Sequence, residues 1–275
     1  MSSSKISVFY DHLLQAAEQT GKTIEEMLQY TKACGIDAVE IRLACLTENE
    51  EVFEQLKRNG LGISCIYEFY EMNKREETEH LKAHVEMARA VGAEKILVVP
   101  GFFGRFEAIC FSWKRKSTKK LSTFMARNKS VQRMVKALQY AVKLGARNSV
   151  TVTIEDFDSE KSPICCINGI KYFLEKVPGL KFTLDTGNFA YIGEDVVEAW
   201  DILQEYIAHV HCKDRGEKLR SVATGSGRLP MEKIVRRLLK KEYAGYYAIE
   251  HFDMEKQEEA IRCSAEFLKG ELGCL

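Results

Sequence analysis

The chain has 275 residues, 45% of them apolar and 29% charged, and its 40 basic and 40 acidic side chains cancel. That balance excludes a global field that would draw nucleic acid or an anionic lipid surface, and no apolar run approaches the length of a membrane span. The opening MSSSKISVFYDH lacks a basic segment followed by an apolar core, so no export signal is expected. Nine cysteines without a C-x-x-C pair read as reduced, mostly buried thiols of a cytoplasmic protein.

Strand and helix signals alternate from end to end. Residues 5–9 (KISVF) read as a first strand. Thr23, with Glu26 three residues on, forms a capping box that opens a helix to about Cys34. Gly35 stops that helix, and residues 38–42 (AVEIR) make a second strand. The same punctuation recurs, with Gly60 before GISCIY, Gly92 before KILVV, Gly145 before SVTVTIE, Gly179 before KFTLD and Gly245 before YYAIE. A glycine closing each helix suits a left-handed cap that leads into a short loop. Adding the strand at 207–211 (IAHVH), which lacks that glycine, gives eight strand–helix units. Eight units in 275 residues predict an α/β fold, a (β/α)8 TIM barrel occupying 1–275 as a single domain. An open doubly wound sheet is the alternative, disfavoured because no glycine-rich phosphate loop follows an early strand.

The interval from Gly92 to Gly145 is about 20 residues longer than a strand–helix unit needs. The excess falls at 101–121, an extended loop after strand four. Its aromatics Phe102, Phe103, Phe106, Phe111 and Trp113 are expected to face inward, and Lys114, Arg115, Lys116, Lys119 and Lys120 follow them. Two readings stand side by side: a lid that excludes water and brings Trp113 to the substrate, or rim packing with a solvated basic face. In the helices, Val131, Val135, Leu138 and Val142, like Val196, Val197, Trp200 and Leu203, keep the spacing of a face packed on the barrel. His80 and His84 have a metal-like i, i+4 spacing but no H-E-x-x-H glutamate, and read as surface or packing residues.

Four runs in the second half each end in a potential ligand: TVTIE in Glu155, KFTLD in Asp185, IAHVH in His211 and YYAIE in Glu250. Parallel strands joined by right-handed crossovers put their C-terminal ends on one face. Three carboxylates and one imidazole are therefore expected to converge there. A lone acid at a strand end is ordinarily a helix cap or an ion-pair partner; four potential ligands on consecutive units favour a site. Such an oxygen-rich set suits Mn²⁺ or Mg²⁺, accepts Co²⁺, and suits Zn²⁺ less well.

The motifs IEDFD, LDTGNF, HVHCKDR and IEHFD resemble the successive strand-end motifs of the xylose isomerase-like barrel superfamily. GIDAVE at 35–40, GYYAIE at 245–250 and GSGR at 225–228 fit the same pattern. The likeness is greatest to its sugar isomerases and epimerases related to D-tagatose 3-epimerase, hydroxypyruvate isomerase and inosose dehydratase. It covers nearly the whole chain and is weakest over 101–121. The resemblance implies that Glu155, Asp185, His211 and Glu250 bind one divalent metal. It also implies that Glu155 and Glu250 act as the acid–base pair on a keto-sugar or polyol, through a metal-stabilised enediolate. Proton removal on one face and return on the other is epimerisation; return at the neighbouring carbon is isomerisation.

Asn188 stands where the family's sugar epimerases usually carry histidine. An amide can bond a substrate hydroxyl but cannot titrate near neutrality. Asp156 stands where an uncharged residue is commoner. Lys213 and Arg215 follow strand seven and are expected to hold substrate oxygens, with Asp214 pairing with either. His12, past strand one, and Glu68, past strand three, are further pocket candidates. His209 lies two residues before His211 on the same side of its strand and is either a support behind the ligands or a buried barrel-layer residue, the latter the favoured reading. Competing functions are a keto-polyol dehydratase using the same site, a non-catalytic sugar-binding barrel, and a phosphodiesterase resembling endonuclease IV. The last would need more histidines than the six present. The expected partners are a small sugar or keto-polyol and, as often in the family, further copies of the chain in a homo-oligomer. No nucleic acid or membrane partner is expected.

Overall fold

The computed structural model of the protein describes residues 5–273. Its strands are β1 (Ile6–Phe9), β2 (Ala38–Arg42), β3 (Gly62–Phe69), β4 (Lys95–Val99), β5 (Thr151–Glu155), β6 (Lys181–Asp185), β7 (Ile207–Cys212), β8 (Asp214–Arg215), β9 (Ser221–Val222) and β10 (Tyr247–Ile249). All but β8 and β9 are parallel barrel strands, closed in the order β1-β10-β7-β6-β5-β4-β3-β2, which is the expected (β/α)8 barrel. β8 and β9 form a separate antiparallel ribbon.

The first helices are α1 (Tyr10–Thr20), α2 (Ile24–Ala33), α3 (Leu43–Glu48), α4 (Glu51–Arg58), α5 (Thr78–Val91) and α6 (Arg105–Ser112). They are followed by α7 (Thr118–Arg127), α8 (Lys129–Arg147), α9 (Ile167–Lys176), α10 (Val196–Leu203), α11 (Met231–Lys240) and α12 (Gln257–Gly273). Residue contacts divide the chain into two compact units. One holds the chain up to Cys65 together with everything from His209 onward, and the other is Ile66–Ala208.

In the first unit β1 pairs with β2 and β10, and β10 with β7, so that Phe9 lies beside Glu40 and Ala248 beside His211. The β-branched and apolar runs are buried on both faces, as parallel strands under helices must be: Ile6, Val8, Val39, Ile41, Val210 and Ile249 have no solvent exposure. The Thr23–Glu26 capping box closes as expected, with Thr23 Oγ1 accepting the Glu26 N–H at 3.3 Å and Glu26 Oε2 accepting the Thr23 N–H at 2.7 Å. The sequence reading missed α1, which follows β1 without a loop and ends at left-handed Gly21.

The second unit pairs β3, β4, β5 and β6 in sequence. Polar strand residues there are satisfied sideways: Thr183 Oγ1 donates to Thr153 Oγ1 at 2.8 Å, and Thr153 Oγ1 to the Ile96 carbonyl at 3.1 Å. Two of the glycines expected as helix stops do something else. Gly145 lies inside α8, where a Cβ would come within 2.5 Å of the Val150 carbonyl oxygen, so close approach is what requires glycine there. The left-handed residue before β5 is Ser149, and the one before β10 is Glu242 rather than Gly245.

The 101–121 segment forms α6 and the start of α7, and its aromatics divide between two faces. Phe103 and Phe111 are buried, with ring centroids 5.2 Å apart, and Phe103 also meets Phe124 at 5.9 Å. Phe106 and Trp113 are 78% and 82% exposed, which corrects the expectation that all the aromatics face inward. The cause is helical spacing: Phe106, Ile109 and Trp113 share the face opposite Phe111. The inner face is pinned by Glu107, which accepts from Asn128 Nδ2 at 2.8 Å, Ser130 Oγ at 2.9 Å and the Gly104 N–H at 3.0 Å.

His84 is a packing residue, buried between the Tyr70 hydroxyl at 2.8 Å and the Ile66 carbonyl at 3.1 Å. His80 sits half-exposed beside Glu77. Among the described residues the cysteines are free thiols, with Cys34, Cys65, Cys165, Cys166 and Cys212 buried. No described helix is long and apolar enough to cross a membrane.

Candidate active site

In the first unit, β2, β7 and β10 deliver a compact charged cluster. His209 and His211, two apart on β7, point to the same side, their rings edge-to-face at 5.4 Å. Both meet Glu40 of β2: His209 Nε2 lies 2.8 Å from Oε2, and His211 Nε2 lies 3.1 Å from each carboxylate oxygen. Burial alone would push the Glu40 carboxyl up, but His211 and His209 beside it hold it down at about 2.

His211 presents its other nitrogen, Nδ1, to Glu250 Oε2 at 2.9 Å. Glu250, the first residue after β10, places Oε1 2.5 Å from Lys213 Nζ. Burial would raise that carboxyl too; the Lys213 ammonium and His211 hold it well below the usual carboxylate range. Oε2 of Glu250 is buried and makes no hydrogen bond.

Asp214 turns away from Lys213 and serves the backbone, which corrects its expected pairing. Its Oδ1 accepts from the N–H groups of Arg215 and Leu229 at 2.8 and 3.2 Å. Its Oδ2 accepts from Gly225 and Gly227 at 3.0 and 2.8 Å. The GSGR loop is thus wrapped on one carboxylate, and a Cβ at residue 227 would sit 2.3 Å from Asp214 Oδ1. Arg215 is buried and reaches back along its ribbon to the Leu219 carbonyl and Ser221 Oγ, each at 3.3 Å. His12, third residue of α1, is buried and stacks on His251 at 4.8 Å, accepting the His251 N–H at Nε2. Burial, then the neighbouring His251, lowers the His12 pKa; burial holds His251 at about 4.

In the second unit, the ends of β5 and β6 carry three acids. Glu155 and Asp185 are the last residues of their strands and are buried. Asp185 Oδ1 accepts the N–H groups of Gly187 and Asn188 at 2.7 and 2.9 Å, a turn closed on its own side chain. Asp156 fixes the same corner: its Oδ1 accepts the Asp185 N–H at 2.9 Å, and its backbone carbonyl accepts from Asn188 Nδ2 at 2.8 Å. Burial, then the Asp185 charge, pushes the Asp156 carboxyl well above its ordinary value. The Asn188 amide nitrogen is therefore already engaged with the chain. Glu68 lies inside β3 rather than beyond it, buried, with Oε1 accepting the Phe69 N–H at 2.8 Å. Trp113 caps the end of α6 on the exposed face of the insertion.

Sequence reasoning passed over Glu40 and His251 as site residues. The signal for Glu40 was a charged residue inside the otherwise apolar strand AVEIR, and for His251 the ring that follows Glu250 directly.

A family model described as the xylose isomerase-like TIM barrel matches residues 28–271. No curated protein matches the chain by sequence. Among solved structures, the probable 3-DHS dehydratase AsbF of Bacillus anthracis, involved in petrobactin synthesis, superposes with a TM-score of 0.73 at 16% identity, covering 96% of this chain and 98% of that one. The 3-keto-D-glucoside 4-epimerase YcjR of E. coli gives 0.68 at 19% identity, covering 98% and 100%. The IolI protein with a bound zinc atom gives 0.70 at 14% identity, covering 98% of each. At these identities the likeness to the solved structures is one of fold.

Proposed function

The chain belongs to the xylose isomerase-like TIM-barrel family, and from that premise we propose that it is a metal-dependent isomerase or epimerase of a keto-sugar or polyol. The observation that carries this reading is a group of four buried residues, Glu155, Asp185, His211 and Glu250. One ligand atom from each lies within 4.8 Å of every other. The donor set suits a hard divalent cation, Mn²⁺ first, then Mg²⁺ or Co²⁺. The buried Glu250 Oε2, without a hydrogen bond and 2.9 Å from a ring nitrogen, is the kind of atom a cation satisfies. A bound ion supplies a Lewis acid for a carbonyl and its neighbouring hydroxyl oxygen.

The chain's own groups do the rest. Glu155 and Glu250 are the carboxylates that take and return the proton at the carbon next to the carbonyl. Lys213, 2.5 Å from Glu250, keeps that group in the ionised state a base requires. Asn188, Lys213, Arg215, His12 and Glu68 line the substrate, and Trp113 reaches it when the 101–121 segment closes as a lid. The protein works as one domain in the cytoplasm, on a small polyol rather than on nucleic acid or a membrane.

A dehydratase is the second reading, favoured by the fold shared with AsbF; there the same proton removal is followed by loss of a β-hydroxyl. One experiment separates the readings. The Mn²⁺-loaded protein is given a panel of keto-sugars and keto-polyols in D₂O, and the products are read by NMR. Deuterium at the carbon next to the carbonyl, in an epimer or isomer of the starting sugar, is the expected result. An unsaturated product makes the protein a dehydratase. Metal-loaded protein that exchanges no proton across the panel is a non-catalytic barrel. The same assay with Zn²⁺, the ion in IolI, tests the choice of metal.

A further inference from the structure

Glu40 has no solvent exposure, and among the described residues its two oxygens are met by two imidazoles rather than by a lysine or arginine. A carboxylate so buried is tolerated only if hydrogen bonds satisfy it. An ionised carboxylate accepts and never donates, so both Nε2 atoms that face it must carry protons. For His211 that assignment makes Nδ1 the nitrogen whose lone pair a cation can take, in place of any proton there. Nδ1 is the atom turned toward Glu250 Oε2 at 2.9 Å.

We propose that Glu40 is the positioning residue of the site: by accepting the Nε2–H of His211 it fixes the ring's orientation and tautomer, so that the Nδ1 lone pair points where a divalent cation would sit. The inference rests on the reading of His211 as a ligand. His209, donating to the same carboxylate at 2.8 Å, holds Glu40 in place from the other side. Glu40, Cys65 and His209 also form a group close enough to surround an ion. The Glu40 oxygens are already used by two N–H donors, however, and an ion there would displace both bonds. An outer carboxylate of this kind typically changes metal affinity by about 10–100-fold when removed.

Glu40→Gln is the direct test, because glutamine keeps the shape but offers one acceptor oxygen where two N–H donors need it. Its NH₂ then faces an imidazole N–H, and one of the two rings must change tautomer or swing away. Two readouts apply to the full chain. The first is ¹⁵N NMR of histidine-labelled, metal-free wild type, with the His211 signal assigned by its loss in His211→Asn; it requires no folded Glu40 variant. The expected pattern is a proton on the Nε2 that faces Glu40, and an unprotonated Nε2 overturns the proposal.

The second is Mn²⁺ titration. Glu40→Gln should bind about 10–100-fold more weakly than wild type, with Glu40→Asp intermediate. Wild-type affinity in Glu40→Gln, or a second ion per chain lost on its introduction, overturns the positioning role and leaves the four-ligand reading standing. Failure of the wild type itself to bind Mn²⁺ overturns the four-ligand reading, and this inference with it.

Discussion

The two units carry acids of the same kind and neutralise them differently. In the first, Glu40 and Glu250 are met by side chains, two imidazoles and a lysine. In the second, Asp185 Oδ1 and Asp156 Oδ1 accept backbone N–H groups, and Asp156 Oδ2 is buried with no hydrogen bond. A backbone N–H satisfies an acceptor without bringing a full charge, and it fixes the carboxylate against the turn it begins. A buried acid can thus be held by ionisable side chains from neighbouring strands, as Glu40 and Glu250 are, or by N–H groups of the turn it begins, as Asp185 Oδ1 is.

The largest effect that can sharpen this contrast is on turnover. Glu155→Gln and Glu250→Gln keep an oxygen ligand while removing a base, and each should lower kcat by about 10²–10⁴-fold. For an epimerase each variant should lose solvent exchange from one epimer only; for an isomerase with one base, a single variant loses it. Steady-state rates and deuterium incorporation read this, and near-wild-type turnover in both would sink the assignment of the pair.

Next comes stability of the first unit's neutralisation. Lys213→Met leaves a buried Glu250 without its ammonium, and should cost about 3 kcal/mol in the metal-free protein. Urea unfolding measures it, and a loss under about 1 kcal/mol would mean that His211 alone compensates Glu250.

The smallest effect concerns His84, the second unit's buried imidazole, which has a hydroxyl and a carbonyl for partners and no carboxylate. Burial lowers its pKa from 6.5 to about 3. A depressed histidine stays neutral in the fold and charges on unfolding, so its contribution is fully present above pH 6.5 and is lost as pH falls toward 3. The loss is about 1.4 kcal/mol per pH unit in that window. His84→Gln should remove about one proton's worth of the pH dependence of stability between pH 6 and 4, read from unfolding curves at each pH. An unchanged slope would place the acid sensitivity elsewhere.

The parts of the structure legible in the sequence were those with strong local physics. β5 and β6 run over the residues their β-branched patterns mark, and end on Glu155 and Asp185. The Thr23 capping box opens α2 where its spacing says. What stayed hidden depends on partners distant in the chain. Nothing near Glu40 announces that residues 209 and 211 will donate to it, and nothing near Asp214 announces four N–H groups from residues 215–229. The inward packing expected of Phe106 and Trp113 failed because 101–121 became helical, and a helix sorts neighbours onto opposite faces.

The central claim is the four-ligand cation site, and its most direct test is Mn²⁺ binding to purified wild type and Asp185→Asn, with stoichiometry read by metal analysis and affinity by titration. One ion per wild-type chain, with most of it lost in a folded Asp185→Asn, is the predicted result. Stoichiometric metal at wild-type affinity in Asp185→Asn would contradict it.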